Sequence, residues 1–193
     1  MTPENSAWLC ALLCVSQVLS APINCRLDGT RIKTCYNLLK DMGGTFPREC
    51  INENVLITFP GSAFASSNGT AEQNDSVRTA VYQTLHSINS LFENHDLPTE
   101  WDEMKLDDFQ NIINDLVEKN KCMERSKPES DGSDHTDVSA RTATLKNYFE
   151  RLTAVLQEKN SFCAWEVVRK ELVRTLLFIL EHKSDSLLWP KRA

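Results

Sequence analysis

The chain contains no Cys-x-x-Cys pair, no Gly-x-Ser-x-Gly elbow and no His-Glu-x-x-His motif. Its four histidines, His86, His95, His135 and His182, lie far apart and never at helical ligand spacing. A structural zinc site needs clustered Cys and His, so none is expected, and neither is any cofactor. A hydrolase needs a nucleophile with a nearby base, or a metal; the missing motifs and scattered histidines argue against one, and no small-molecule substrate is expected. Internal repeats are absent. After residue 20, no apolar run approaches the ~20 residues needed to span a bilayer, which excludes a membrane-inserted product.

At 193 residues the chain is long enough for one domain and too short for two ordinary ones. Apolar residues make up 41% and charged residues 25%, the balance of a globular chain. The formal charge of −6 argues against nucleic acid or an anionic membrane as partner. Ala7 to Leu19 is nearly continuous apolar sequence, followed by the small residues Ser20 and Ala21. Residues 1–20 therefore read as a secretory signal ahead of a domain over 21–193. The leader lacks Lys and Arg and contains Glu4, so its positive charge comes only from the amino terminus. Pro22 would directly follow a cut after Ala21, which favours a cut after Ser20. The competing reading of this segment is a buried N-terminal helix. Removing residues 1–20, whose one charged side chain is Glu4, changes −6 to −5. The expected product is secreted and extracellular.

Cysteine usage fits an oxidising compartment. Of seven cysteines, Cys10 and Cys14 fall in the leader, leaving Cys25, Cys35, Cys50, Cys122 and Cys163. Five is odd, so at least one is free or pairs between molecules. Asn68-Gly69-Thr70 and Asn74-Asp75-Ser76 are both N-glycosylation sequons, close together in a polar, turn-prone stretch.

Apolar periodicity predicts five helices, and nothing predicts a sheet-based fold. The first spans about Cys25 to Met42, with Ile32, Cys35, Leu38, Leu39 and Met42 on one face, and Gly43-Gly44 ends it. The second spans about Ser76 to Phe92, the third Leu106 to Cys122, the fourth Ala140 to Lys159 and the fifth Cys163 to Lys183. Between the first two lies a long connection, about Thr45 to Asp75, in which Val55 to Phe59 is expected to pack as an extended overhand segment. A connection of this length can cross a bundle and let consecutive helices run parallel. The short Asn160-Ser161 turn instead forces the fourth and fifth helices antiparallel. The tail from Ser184 to Pro190 is expected to be loosely attached.

The fifth helix presents two surfaces. Trp165, Val168, Leu172, Leu176 and Ile179 form one apolar stripe at three-and-four spacing. Arg169, Lys170, Val173 and Arg174 project beside or opposite it. Val173 and Leu177, flanked by these cations, have the composition of a binding hot spot. The plainer reading is a solvated charged face.

Particular runs resemble a known family. Tyr148-Phe149-Glu150-Arg151-Leu152, then Leu156, then Cys163-Ala164-Trp165-Glu166-Val167-Val168-Arg169 is similar to the signature of type I interferons. So are Cys25-Arg26, Leu38-Leu39-Lys40-Asp41-Met42-Gly43-Gly44 and Phe46-Pro47, and together they resemble the fish subgroup with four paired cysteines. Val155 departs from the aromatic or Leu usual there. The resemblance implies an all-α, five-helix, up-up-down-down cytokine bundle with a long overhand first connection. It implies disulfides Cys25–Cys122 and Cys50–Cys163, each worth about 4–5 kcal/mol on a chain-entropy account. Cys35 is then surplus, either a buried thiol or a rival of Cys50 for Cys163. The implied function is antiviral signalling through a heterodimeric class II cytokine receptor. One receptor chain would dock on the first helix, first connection and fifth helix, with Arg169, Lys170, Val173 and Arg174 as contacts. The other would dock on helices two to four. Lys170 and Val173 differ from the commonest mammalian residues, so the receptor's identity does not carry over. The alternative is another secreted helical cytokine or hormone with a different receptor pair.

Overall fold

The computed structural model describes residues 25–65, 71–125, 134–159 and 161–190. The expected signal over 1–20, its cut and Asn68 lie outside them. Five long helices carry the fold: α1 (Gly29–Gly43), α2 (Ala71–Asn94), α3 (Glu103–Lys119), α4 (Asp134–Lys159) and α5 (Phe162–His182). A single turn, Cys122–Arg125, follows α3. Short 3₁₀ segments occupy Arg48–Glu53, Gly61–Phe64 and Ser184–Ser186.

Capping sets where the helices begin. Asp28 accepts hydrogen bonds from the backbone N–H groups of Thr30 and Arg31, so α1 starts after it rather than at Cys25. Asp102 accepts from the Lys105 N–H at 3.1 Å and draws the start of α3 forward to Glu103. Ser161 caps α5 by accepting from the Ala164 N–H. The third helix also ends earlier than its periodicity predicts, where Asn120 folds its side-chain amide onto the Leu116 carbonyl. All four apolar stripes from α1 to α4 face one core, which joins that of α5.

Cross-helix contacts fix the directions. The start of α1 meets the end of α3 through Arg31 and Asp115, and its end meets the start of α3 where the Asp102 N–H donates to the Met42 carbonyl. Tyr82, midway along α2, bonds Glu124 beyond the end of α3, and Phe92 near the end of α2 packs on Phe109 near the start of α3. Both α1 and α2 are therefore antiparallel to α3 and parallel to each other. Arg169 near the start of α5 reaches the end of α1, so α5 runs with α3. These four form the up-up-down-down core. The fifth helix of the bundle, α4, runs with α2, pairing Gln83 with Thr142, and returns antiparallel into α5.

Two parts differ from expectation. The tail is not loose: the Leu188 N–H donates to the Leu27 carbonyl and its carbonyl accepts from the Gly29 N–H, both at 2.8 Å. Leu187 is buried, and the Trp189 indole lies so close to Gly29 that a β-carbon there would sit 2.6 Å from the ring. The overhand segment packs only every second side chain. Ile57 is buried and Phe59 rests on Phe178 at 4.8 Å between ring centroids, whereas Leu56 points outward and is 91% exposed. With one face covered, an extended chain alternates.

Cys25 is joined to Cys122 and Cys50 to Cys163, with Cα–Cα distances of 6.1 and 5.1 Å. Cys35 is a free thiol inside the core, and burial pushes its pKa up to about 12. Peptide mapping without reductant is expected to recover only these two linkages, with Cys35 alkylated only after denaturation. A Cys35–Cys163 peptide would contradict this pairing.

Candidate functional site

The polar residues of α5 divide between a buried junction and an outward edge. Glu166 has no exposed surface. Its Oε1 accepts from Trp101 Nε1 at 2.6 Å and Arg169 Nε at 3.0 Å, and its Oε2 accepts from Arg169 Nη2 at 2.6 Å. Arg169 is only 4% exposed. Its Nη1 donates to the Leu39 and Lys40 carbonyls at 3.3 and 3.1 Å, and its Nη2 to the Gly44 carbonyl at 3.0 Å. The last carbonyls of a helix lack partners within it, and a cation there also complements the helix dipole. A planar guanidinium suits the task because its donors spread as a fork.

The junction explains both glycines that end α1. A β-carbon on Gly43 would lie 2.5 Å from Arg169 Nε and 2.7 Å from Glu166 Oε1. Gly44 adopts φ 64°, a left-handed conformation that side chains disfavour. Beside the junction, Trp165 is buried among Phe92 and Trp101, with ring centroids 5.2 and 5.5 Å away, and donates to the Asp96 carbonyl at 2.7 Å. Trp165 is thus the core residue expected. Arg169, expected on the outward face, points inward instead. The wheel misplaces it because the end of α1 covers that side of α5, and helix periodicity carries no information about where a neighbouring helix stops.

Lys170, Val173 and Arg174 do line the outer edge. Lys170 Nζ bonds Asn54 Oδ1, pairs with Glu171 at 3.4 Å and sits 5.8 Å from the centre of the Phe46 ring. Arg174 pairs with the same Glu171 at 3.6 Å and lies 4.9 Å over Phe59. Glu171 is itself buried, so the two cations flank a carboxylate held at the helix surface. Val173 is half-buried against the core. The Cys50–Cys163 disulfide fastens the first connection beside this edge.

The first connection contributes exposed apolar residues that the helix reading missed. Ile51 is 59% exposed, and Leu56 and Val55 also face solvent. Alternation along Val55 to Phe59 carried the signal for Leu56; Ile51 had none beyond following Cys50 directly. Asn74 falls in the first turn of α2 rather than in the loop.

The outer edge thus combines two cations, a half-buried valine and protruding aliphatic side chains, a composition suited to protein partners. Arg169→Ala should lower stability by about 3–5 kcal/mol, since it strands Glu166 as a buried unpaired charge. Lys170→Ala and Arg174→Ala, whose own side chains are partly solvated and each of which leaves the other cation beside Glu171, should each cost under about 1 kcal/mol. Denaturant titration followed by far-ultraviolet circular dichroism separates these outcomes; equal losses would refute the division.

Comparison with known proteins supplies a family. A family model described as Interferon alpha/beta domain matches residues 28–185. The chain is 33% identical to Interferon alpha-B of Bos taurus over 175 residues, covering 87% of this chain and 90% of that one. It is 29% identical to Interferon alpha-3 of Equus caballus, over 86% of this chain and 91% of the other. Among solved structures it is similar to zebrafish interferon 2, with 44% identity and a TM-score of 0.74 over 81% of this chain and 99% of that one. Zebrafish interferon 1, at 19% identity and a TM-score of 0.58, shares the fold.

Proposed function

The chain belongs to the type I interferon family of cytokines, which are not enzymes, and we propose that it is a secreted ligand that joins two chains of a class II cytokine receptor to start antiviral signalling. The observation that best supports this reading is the family match over 28–185, which spans the outer edge of α5 and the first connection alike. The leader over 1–20 and the two disulfides suit export, and no described helix is long and apolar enough to cross a membrane. Asn68 and Asn74 would then meet the glycosylation machinery on the way out.

The first receptor chain would engage Lys170, Val173 and Arg174 together with Ile51 and Leu56. Arg169 would serve this surface from below, by holding the end of α1 against α5. The second chain would engage the face formed by α2 to α4. Aliphatic anchors ringed by cations give affinity through burial, and the basic edge on an acidic protein gives orientation and encounter rate.

Purified, correctly bridged protein added to a fish cell line should induce antiviral genes in a receptor-dependent manner. Leu56→Asp should weaken that response at least tenfold without changing thermal stability, because the side chain already lies in water; about 1.4 kcal/mol of lost binding suffices. No response from any fish line, or full potency in Leu56→Asp, would count against the function or the surface respectively.

A further inference from the structure

Residues 51–56 bury almost nothing. Within the stretch from Cys50 to Ile57, only those two end residues are buried, the first held by its disulfide and the second by the core. Cations on two helices nevertheless meet this stretch at three points. Lys159 on α4 lies 3.6 Å from a carboxylate oxygen of Glu53, and Lys170 on α5 bonds the Asn54 side chain. Arg151, two turns before Lys159 on α4, donates to the Leu56 carbonyl at 3.4 Å. Eight helical residues rise about 12 Å. Three residues of extended chain span roughly 10 Å, so the loop from Glu53 to Leu56 matches the ladder of cations beneath it.

We propose that Arg151, Lys159 and Lys170 form a cationic clamp that positions Ile51 and Leu56 for a protein partner, Arg151 and Lys159 acting on the partner through the loop and not by direct contact. The apolar pair carries the contact, and the cations hold the segment that presents it. Each tether is partly solvated and individually weak, but all three restrain the same short loop between two fixed ends. Salt should screen the Lys159–Glu53 ion pair and leave the two hydrogen bonds to neutral acceptors largely in place. A ligand whose binding-competent loop is only partly populated binds with proportionately lower apparent affinity. The identity of the occupant, a cytokine receptor, rests on the function proposed above; the clamp itself does not.

Variants on the loop side of two of the tethers separate positioning from contact. Asn54→Ala and Glu53→Gln cut tethers while leaving every cation in place. Glu53→Gln also makes the protein less acidic, so a purely electrostatic attraction to an acidic partner would strengthen. Backbone amide exchange over residues 51–56 of the free protein should accelerate about three- to tenfold in the double variant. Exchange elsewhere and the melting temperature should be unchanged in that variant, and about 0.5 M salt should accelerate exchange over 51–56 of the parent protein less, since it screens the Lys159–Glu53 pair alone of the three tethers. The half-maximal dose on a responsive fish cell line should rise by a similar factor. Ile51→Ala should raise that dose without altering exchange. Unchanged exchange in the double variant would overturn the clamp. Faster exchange with unchanged or improved potency would overturn its positioning role. If the parent protein elicits no response, the proposed function fails and the positioning role with it, while exchange still decides whether the clamp exists.

Discussion

The bundle depends on one buried ion pair. Glu166 and Arg169 sit three residues apart on α5, yet their hydrogen bonds reach the end of α1 and, through Trp101, the entry to α3. Removing two charges from water is favourable only when their donors and acceptors are satisfied, and here the backbone of α1 supplies the acceptors that the carboxylate leaves over. The requirement propagates. α1 must stop at residue 43, glycine must stand there, and the chain must then turn through a positive φ at Gly44. The long first connection therefore leaves from a fixed point in a fixed direction, and its return is fixed again by Cys50 on Cys163.

This arrangement separates the two kinds of basic residue on α5. Arg169 meets carbonyl oxygens of another helix and is structural; Lys170 and Arg174 meet aromatic faces and loop side chains at the solvent edge. One residue position along a helix turns a side chain by about 100°, enough to exchange core for surface. The surface edge is built from two layers, with cations beneath and aliphatic groups of the connection above.

Much of the fold was legible in the sequence. Apolar periodicity located five helices, because each buries a stripe on a shared core. Boundaries shifted where a capping side chain, such as Asp28 or Asp102, overrode periodicity. The pairing of Cys50 with Cys163 came from resemblance, since no rule of spacing selects it over Cys35. Two things stayed hidden for one physical reason. The inward turn of Arg169 and the anchoring of the tail both depend on what lies across from the residue, which a single chain's pattern does not encode. Trp189 illustrates this: its contact with Gly29 joins positions 160 residues apart in the numbering.

That contact also bears on engineering. Leu27 and Leu188 are hydrogen-bonded neighbours at one pole of the bundle, while the Arg169 junction lies at the other end of α1. A label or fusion partner attached at either end of the domain therefore leaves from the same pole, away from the α1 exit. Adjacent ends are also what circular permutation needs. A short linker could close the chain there and new ends be opened between Arg125 and Asp134, leaving all five helices and the Cys25–Cys122 loop uncut while the Cys50–Cys163 bridge still joins its two segments.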